Sequence, residues 1–269
     1  MSNNLLQGKK GIVFGALDDM SIAWKVAERA HEEGAEVLLT NAPVALRMGK
    51  INELAEKLGT EVVAADATNN DDLNALFDKA EERFGKVDFI LHSIGMSPNV
   101  RKNREYTNLK YEWYQKTLDI SGLSFHRMMQ IAYQRDLMNE WGSILALSYI
   151  AAQRTFGKYN DMAEAKAILE SIARSFGYHF GKKSKVRVNT ISQSPTPTTA
   201  GSGVKGFDKM LAFGEKTSPL GNATSDECAD YCIMMFSDLT KKVTMQNLFH
   251  DGGFSSMGIS EEILDSLDI

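Results

Sequence analysis

The feature that most constrains this chain is an alternation in which apolar runs of strand length, most of them unbroken, recur between longer stretches of helical period. The strand candidates are GIVFG (11–15), EVLLT (36–40), EVVAAD (61–66), VDFILHSIG (87–95), GSILALS (142–148), KVRVNTIS (185–192) and QNLFHDGG (246–253). Unbroken apolar runs are how strands covered by helices on both faces read, and alternation with helices predicts parallel pairing. The helical period predicts helices near 21–33, 44–58, 69–84, 109–138, 159–180 and 224–237. The expected architecture is α/β, a doubly wound parallel sheet of about seven strands with helices on both faces, in a single domain over residues 1–269.

With 269 residues, 43% of them hydrophobic, the chain can bury one large core. A formal net charge of −5 argues against a dedicated nucleic-acid partner, which would need a basic excess to neutralise phosphates. The opening MSNNLLQGKKGIVFG lacks the apolar run of a secretory leader, and no stretch approaches the roughly 18 apolar residues of a membrane span, so the chain reads as soluble and cytoplasmic. Cys228 and Cys232 stand four apart in DECADYCIMMF, on one helical face, which suits packing rather than a disulfide framework. His31, His92, His126, His179 and His250 are scattered without metal-ligand spacing, and no metal is predicted.

In a doubly wound sheet ligands bind at the carboxyl ends of the strands, where strand order reverses. The first such loop, GALDDMSIAWKVAERA, has Gly15 for a tight turn and Ser21 and Ala23 where the backbone must approach a phosphate and the sheet, though it is not G-x-G-x-x-G. Asp66 ends the third run, suited to accepting from an adenine amino group, and HSIG (92–95) places Ser93, Ile94 and Gly95 beside an adenosine. The acid that usually selects a 2′-hydroxyl about 20 residues after the glycines is missing from LLTNAPVALR, where Arg47 could meet a 2′-phosphate. These residues leave the choice between NADH and NADPH open.

Tyr159 and Lys166 in KYNDMAEAK are seven apart, which on a helix puts them on one face about 10 Å apart along the axis. A phenol is a proton donor at neutral pH, and a nearby ammonium stabilises negative charge developing on it or on a substrate. Tyr149 precedes them in a loop that returns to the same strand-end crevice. Tyr178 and Lys185 repeat the spacing, but Gly181 and the following strand are expected to interrupt that helix. The segment QSPTPTTAGSGVKGFDKMLAF (193–213), small and polar and then amphipathic, is expected to form a lid.

GALDDMSIA, HSIG, DIS (119–121), LSY (147–149), YNDMAEAK, RVNTIS (187–192) and HDGGFS (250–255) together resemble the short-chain dehydrogenase/reductase superfamily. Within it, the chain is similar over nearly its whole length to the enoyl-acyl-carrier-protein reductases of bacterial fatty-acid synthesis. The resemblance implies a Rossmann-like fold and NADH-dependent reduction of a trans-2-enoyl thioester, with hydride delivered to the β-carbon and an enolate oxygen to be stabilised. It implies that Tyr159 bonds the thioester carbonyl, that Lys166 holds the nicotinamide ribose, and that Tyr149 is the second tyrosine of the site. The dinucleotide would be lined by Gly15, Ser21 and Ile22 after the first strand, and by Asp66 and Ala67 after the third. Ser93 and Gly95 would follow after the fourth, then Lys166, Ile191 and Thr198. Gly95, Met96, Tyr149, Tyr159, Met162 and the lid from Ala200 to Leu211 would border the acyl pocket.

The resemblance further implies a homotetramer and docking of an acidic acyl-carrier protein on a basic surface near the lid, where Lys205 and Lys209 flank Asp208. Departures from the family pattern are Ser194 for a glycine, Pro197 before Thr198, and Asp161 inside the tyrosine-lysine motif. A carbonyl-reducing relative would place three residues between tyrosine and lysine rather than six, and a catalytically silent dinucleotide-binding module would have no need of a phenol at position 159.

Overall fold

All seven apolar runs contribute strands: β1 (Lys10–Phe14), β2 (Glu36–Asn41), β3 (Val62–Ala64), β4 (Val87–His92), β5 (Met138–Ser148), β6 (Arg187–Gln193) and β7 (Asn247–His250). The computed structural model, which describes residues 3–267, joins them in one sheet of order β3-β2-β1-β4-β5-β6-β7, every neighbouring pair parallel. The order reverses between β1 and β4, so the loops leaving those two strands diverge and open a crevice there.

The register explains the unbroken apolar runs. Ile12, Ile90, Ile144 and Val188 are paired across four strands and pack into one core, under Leu73 and Phe77, Phe125 and Met129, and Leu169. Their chain neighbours Val13, Leu91 and Leu145 point the opposite way, under Ala23 and Val26, Leu54, and Cys228 and Cys232. Both faces are therefore dry, as the sequence pattern predicts. The two cysteines are free and buried.

The helices are α1 (Ile22–Glu32), α2 (Pro43–Met48), α3 (Ile51–Leu58), α4 (Asn70–Phe84), α5 (Pro98–Arg101), α6 (Tyr111–Leu118), α7 (Ser124–Gln134) and α8 (Asp161–Ser184). They continue with α9 (Thr199–Ser202), α10 (Phe207–Thr217), α11 (Ser225–Phe236) and α12 (Glu261–Asp265). Local signals place several ends: the Asn69 side chain accepts from Asp71 N and Asp72 N at the start of α4, and Thr224 and Glu227 form a reciprocal capping box at the start of α11. No helix among the described residues is long and apolar enough to cross a membrane.

Four expectations need correction. The helix expected at 44–58 is broken at Gly49, which turns extended where the chain meets Leu17; a Cβ there would lie 2.5 Å from the Leu17 carbonyl oxygen, and Lys50 N donates to that oxygen at 2.7 Å. The helix expected at 109–138 is α6 and α7 joined by a five-residue π-helical segment, Asp119–Leu123, and it ends early. Asp136 takes a left-handed φ of 54° and its carboxylate meets Lys86 and Lys183, so β5 starts at Met138 rather than 142. Finally, α8 starts two residues later than expected and runs through Gly181 to Ser184, because a glycine inside a helix weakens it without ending it. The strands at 61–66, 87–95, 185–192 and 246–253 are likewise shorter than their apolar runs.

Candidate active site

The cleft at the reversal point is floored by the ends of β4, β5 and β6 and roofed by α9 and α10, and it encloses about 1100 Å³ of space open to solvent. Gly15 closes β1 with φ +97°, and a Cβ on it would sit 2.0 Å from the Ser93 carbonyl oxygen, so the loops after β1 and β4 touch only because this residue is glycine. The Ser21 hydroxyl donates to Asp18 O at 2.7 Å and accepts from Leu17 N at 3.2 Å, bracing the first loop as it enters α1. After β3, Asp66 Oδ1 accepts from Thr68 N and Thr68 Oγ1 at 2.9 and 2.7 Å, which fixes the carboxylate at the strand end.

Tyr159 precedes α8 rather than lying on it. Asn160, in a left-handed conformation with φ 45°, separates the phenol from the helix, and Lys166 belongs to the second turn of α8. The two residues reach the same cleft from a turn and a helix, so the axial distance expected for a shared helical face does not describe them. The competing pair is not brought together at a cleft: Tyr178 is exposed, and Lys185 caps α8, ion-paired with Glu140 at 2.6 Å and lying over Trp141.

The Tyr149 and Tyr159 rings pack at a tilt, with centroids 4.9 Å apart and planes at 52°. Burial raises the pKa of both phenols above the ordinary value, and Tyr149 is raised further by the neighbouring Tyr159, so both remain neutral hydrogen-bond donors at working pH. Lys166 is buried, and Nζ donates to Leu147 O at 2.8 Å and Ile94 O at 3.3 Å. Burial lowers its pKa to about 8 while the nearby Glu170 carboxylate pulls it back up. Glu170 is in turn fixed by Ser148 Oγ at 2.7 Å and Gln153 Nε2 at 3.0 Å. Beneath them His92 is fully buried and neutral, its pKa lowered to about 3 by burial and by Lys166, and it shares a hydrogen bond with Ser124 at 2.9 Å.

These observations suit a dinucleotide. An ammonium has three donors, and two of those of Lys166 are spent on backbone carbonyls, which aims the third at the cleft. Gly95 keeps the space above it open, since a Cβ there would lie 3.8 Å from Nζ and 3.3 Å from Met162 Cε. Of the residues singled out in the sequence, Tyr149, Tyr159, Lys166, Ile22, Ser93, Gly95, Met96, Met162, Thr198 and Ala200 all border this cleft. Gly15, Ser21, Asp66 and Ala67 lie at the adjoining strand ends, outside its lining, and the Ile191 side chain is in the core. Arg47 is exposed on α2.

Some lining residues escaped the sequence reading, among them Val100 and Arg101, which carry no pattern of their own, while Gln193 and Pro195 come from the segment expected to form the lid. Ser121, in the π-helical segment, was legible only as part of DIS; its hydroxyl accepts from Met96 N at 2.8 Å and donates to Met96 O at 3.0 Å. The Ser194 that replaces a glycine accepts from Ala223 N at 2.8 Å, so its side chain is used to anchor the loop after β6. Beyond that anchor, α9 and the first turn of α10 are largely exposed, with the Thr199 hydroxyl donating to Asp18 across the cleft mouth at 2.6 Å.

A family model described as enoyl-(acyl carrier protein) reductase matches residues 15–255. The chain is similar to enoyl-acyl-carrier-protein reductase (NADH) 1 of Rhizobium meliloti strain 1021, 34% identical over 271 residues, with 100% of this chain and 97% of the relative covered. Among solved structures it is similar to the FabI–NADH complex from Alistipes finegoldii, with a TM-score of 0.97 and 64% identity over 98% of this chain and 94% of that one. It is also similar to the Bacillus cereus enoyl-acyl carrier protein reductase with NADP+ and indole naphthyridinone, with a TM-score of 0.89 and 31% identity over 96% of this chain and 100% of that one.

Proposed function

The chain belongs to the enoyl-acyl-carrier-protein reductase family and is an NADH-dependent enoyl-acyl-carrier-protein reductase of fatty-acid synthesis, and we propose that Tyr159, Lys166 and Tyr149 carry its reaction. The observation that supports these roles is the convergence of a neutral phenol and a buried ammonium on one cleft at the strand ends.

NADH would supply the hydride to the β-carbon of the enoyl thioester, leaving NAD+, and the resulting enolate would take a proton at the α-carbon from water to give the saturated thioester. Tyr159 donates a hydrogen bond to the thioester carbonyl, and that bond strengthens as the oxygen becomes an enolate; a donor fixed before the charge develops has no reorganisation cost at that moment. Tyr149 packs against the Tyr159 ring and limits the positions the phenol can take. Lys166, held by the Leu147 and Ile94 carbonyls, would donate its remaining N–H as a hydrogen bond to the ribose hydroxyls of the cofactor. Gly15, Ser21, Ile22 and Ser93 would face the pyrophosphate and adenosine side, Asp66 and Ala67 the adenine, and Ile191 and Thr198 the nicotinamide end. Met96, Met162, Gly95 and Ala200 would border the acyl chain, with 193–213 acting as the lid of a single catalytic domain.

The test is loss of reduced-nicotinamide absorbance with purified protein and an enoyl thioester, run in parallel with NADH and NADPH. Consumption only when the enoyl substrate is present supports the assignment, and the faster of the two cofactors is the preferred one. Consumption of neither, with binding intact, would return the chain to a dinucleotide-binding role without this chemistry.

The carrier protein is acidic, and Lys205 and Lys209 are exposed on the lid. They would meet it electrostatically, so Lys205→Glu with Lys209→Glu is expected to raise KM for carrier-bound substrate about tenfold, more at low than at high salt, while leaving coenzyme A thioesters unaffected. Equal KM values for the carrier-bound substrate would remove these lysines from docking. A homotetramer working in the cytoplasm is the assembly we propose, supported by Tyr111, Leu123 and Tyr178, which stay exposed on or beside α6, α7 and α8. A monomeric mass in sedimentation equilibrium would rule it out.

A further inference from the structure

Asp161 is fully buried, 0% exposed, in the middle of the tyrosine-lysine motif, and the reaction above gives it no part. One carboxylate oxygen accepts from Ser97 Oγ at 2.6 Å, and the other accepts from Asn99 Nδ2 at 2.8 Å and Thr117 Oγ1 at 2.9 Å. A carboxylate taken out of water persists only when it is hydrogen-bonded, and these three donors serve it. The donors come from elsewhere in the chain: Ser97 and Asn99 belong to the loop after β4 and the short α5 it leads into, and Thr117 to α6.

That loop is one wall of the cleft, contributing Gly95, Met96 and Val100, while the neighbours of Asp161 on its own segment, Tyr159 and Met162, form the adjoining wall. Further bonds run in the same direction along the two segments. Asn160 Nδ2 donates to Arg104 O at 2.7 Å, and the Tyr106 hydroxyl donates to Glu164 at 2.6 Å. Asp161 is the only one of these groups with its partners buried on both sides of the seam.

We propose that Asp161 is a positioning residue whose carboxylate pins the 95–101 wall to the segment carrying Tyr159 and Met162, and so sets the width of the acyl pocket. This rests on the enoyl-reductase reading of the cleft. That wall is then fixed, and the fit of the acyl chain depends on its distance from Met162. Loosening it costs contacts with a long chain more than with a short one, because a long chain touches more of the wall.

The experiment compares Asp161→Val and Asp161→Asn with the native enzyme, saturated with NADH, on crotonyl and dodecenoyl thioesters, with NADH affinity and melting temperature measured on each. Asp161→Val strands three polar groups and is expected to raise KM for the dodecenoyl substrate about tenfold, with kcat within about threefold and NADH affinity unchanged. The crotonyl KM is expected to move less, and Asp161→Asn, which keeps an acceptor oxygen, to recover most of the loss. A residue serving stability alone would lower the melting temperature and leave the ratio of the two KM values as it is in the native enzyme, and that result overturns the proposal. Where Asp161→Val is insoluble the decision falls to Asp161→Asn, expected at about threefold in dodecenoyl KM; no change in the ratio overturns the proposal there too. Native enzyme that turns over neither thioester would instead sink the underlying reading.

Discussion

Replacing Tyr159 by phenylalanine is expected to lower kcat for enoyl thioester reduction by about 100-fold, with NADH affinity unchanged. The substitution keeps the ring that packs against Tyr149 at 4.9 Å and removes only the hydroxyl. What is lost is therefore a bond made to a developing enolate oxygen, an interaction stronger in the transition state than in the ground state, and such losses fall on kcat rather than on KM. Because burial raises the Tyr159 pKa, the phenol stays protonated through the neutral range, and the rate should show no fall below pH 10 attributable to its ionisation. A mutant within about threefold of the native kcat would take the phenol out of the reaction.

Lys166→Met is expected to be more damaging still, lowering kcat/KM about 1000-fold with most of the loss in NADH binding. Methionine matches the stem in length but leaves the Leu147 and Ile94 carbonyls without their donor and removes the proton directed at the ribose. The same residue ties stability to pH. Its pKa in the folded protein is about 8, against an ordinary 10.5, because burial disfavours the charge. Between those values the unfolded chain binds the proton more than the folded one does, so stability rises with pH across that window. Below about pH 8 the folded protein bears the full net cost of the buried ammonium, on the order of 3 kcal/mol. The native enzyme should accordingly gain melting temperature relative to Lys166→Met as pH is raised from 7 to 10. A difference that stays constant over that range would mean that water reaches the ammonium.

The architecture was legible because both faces of the sheet are covered. Ile12, Val13, Ile90 and Leu91 are all apolar since alternate residues enter opposite cores, and an unbroken run of that kind has few other uses. The placement of Tyr149, Tyr159 and Lys166 at one cleft followed from their positions after β5 and early in α8. What a one-dimensional pattern does not carry is backbone choice at single residues. The positive φ of Asn160 takes Tyr159 off the helix, and that of Asp136 ends a helix whose period continues in the sequence. Gly49 and Gly181 are the same residue type with opposite outcomes, one breaking a helix against the Leu17 carbonyl and the other lying inside α8 with open space around it. The Asp161 cluster was invisible for another reason: Ser97, Asn99 and Thr117 are ordinary surface residues in sequence, and only the fold turns them toward a common buried acid.

The separation of Tyr159 from the helix that carries Lys166 has a consequence for how such an enzyme changes over generations. The ammonium is bound to floor carbonyls through α8, whereas the phenol hangs from a turn whose conformation depends on Asn160. Substitutions in the turn can therefore alter how an acyl substrate is held without disturbing the floor bonds of the ammonium, and changes after β2, at the adenosine end, can alter which nucleotide is preferred without moving the phenol. Descendants of one ancestor are free to diverge in what they reduce and in what they reduce it with as two separate inherited traits.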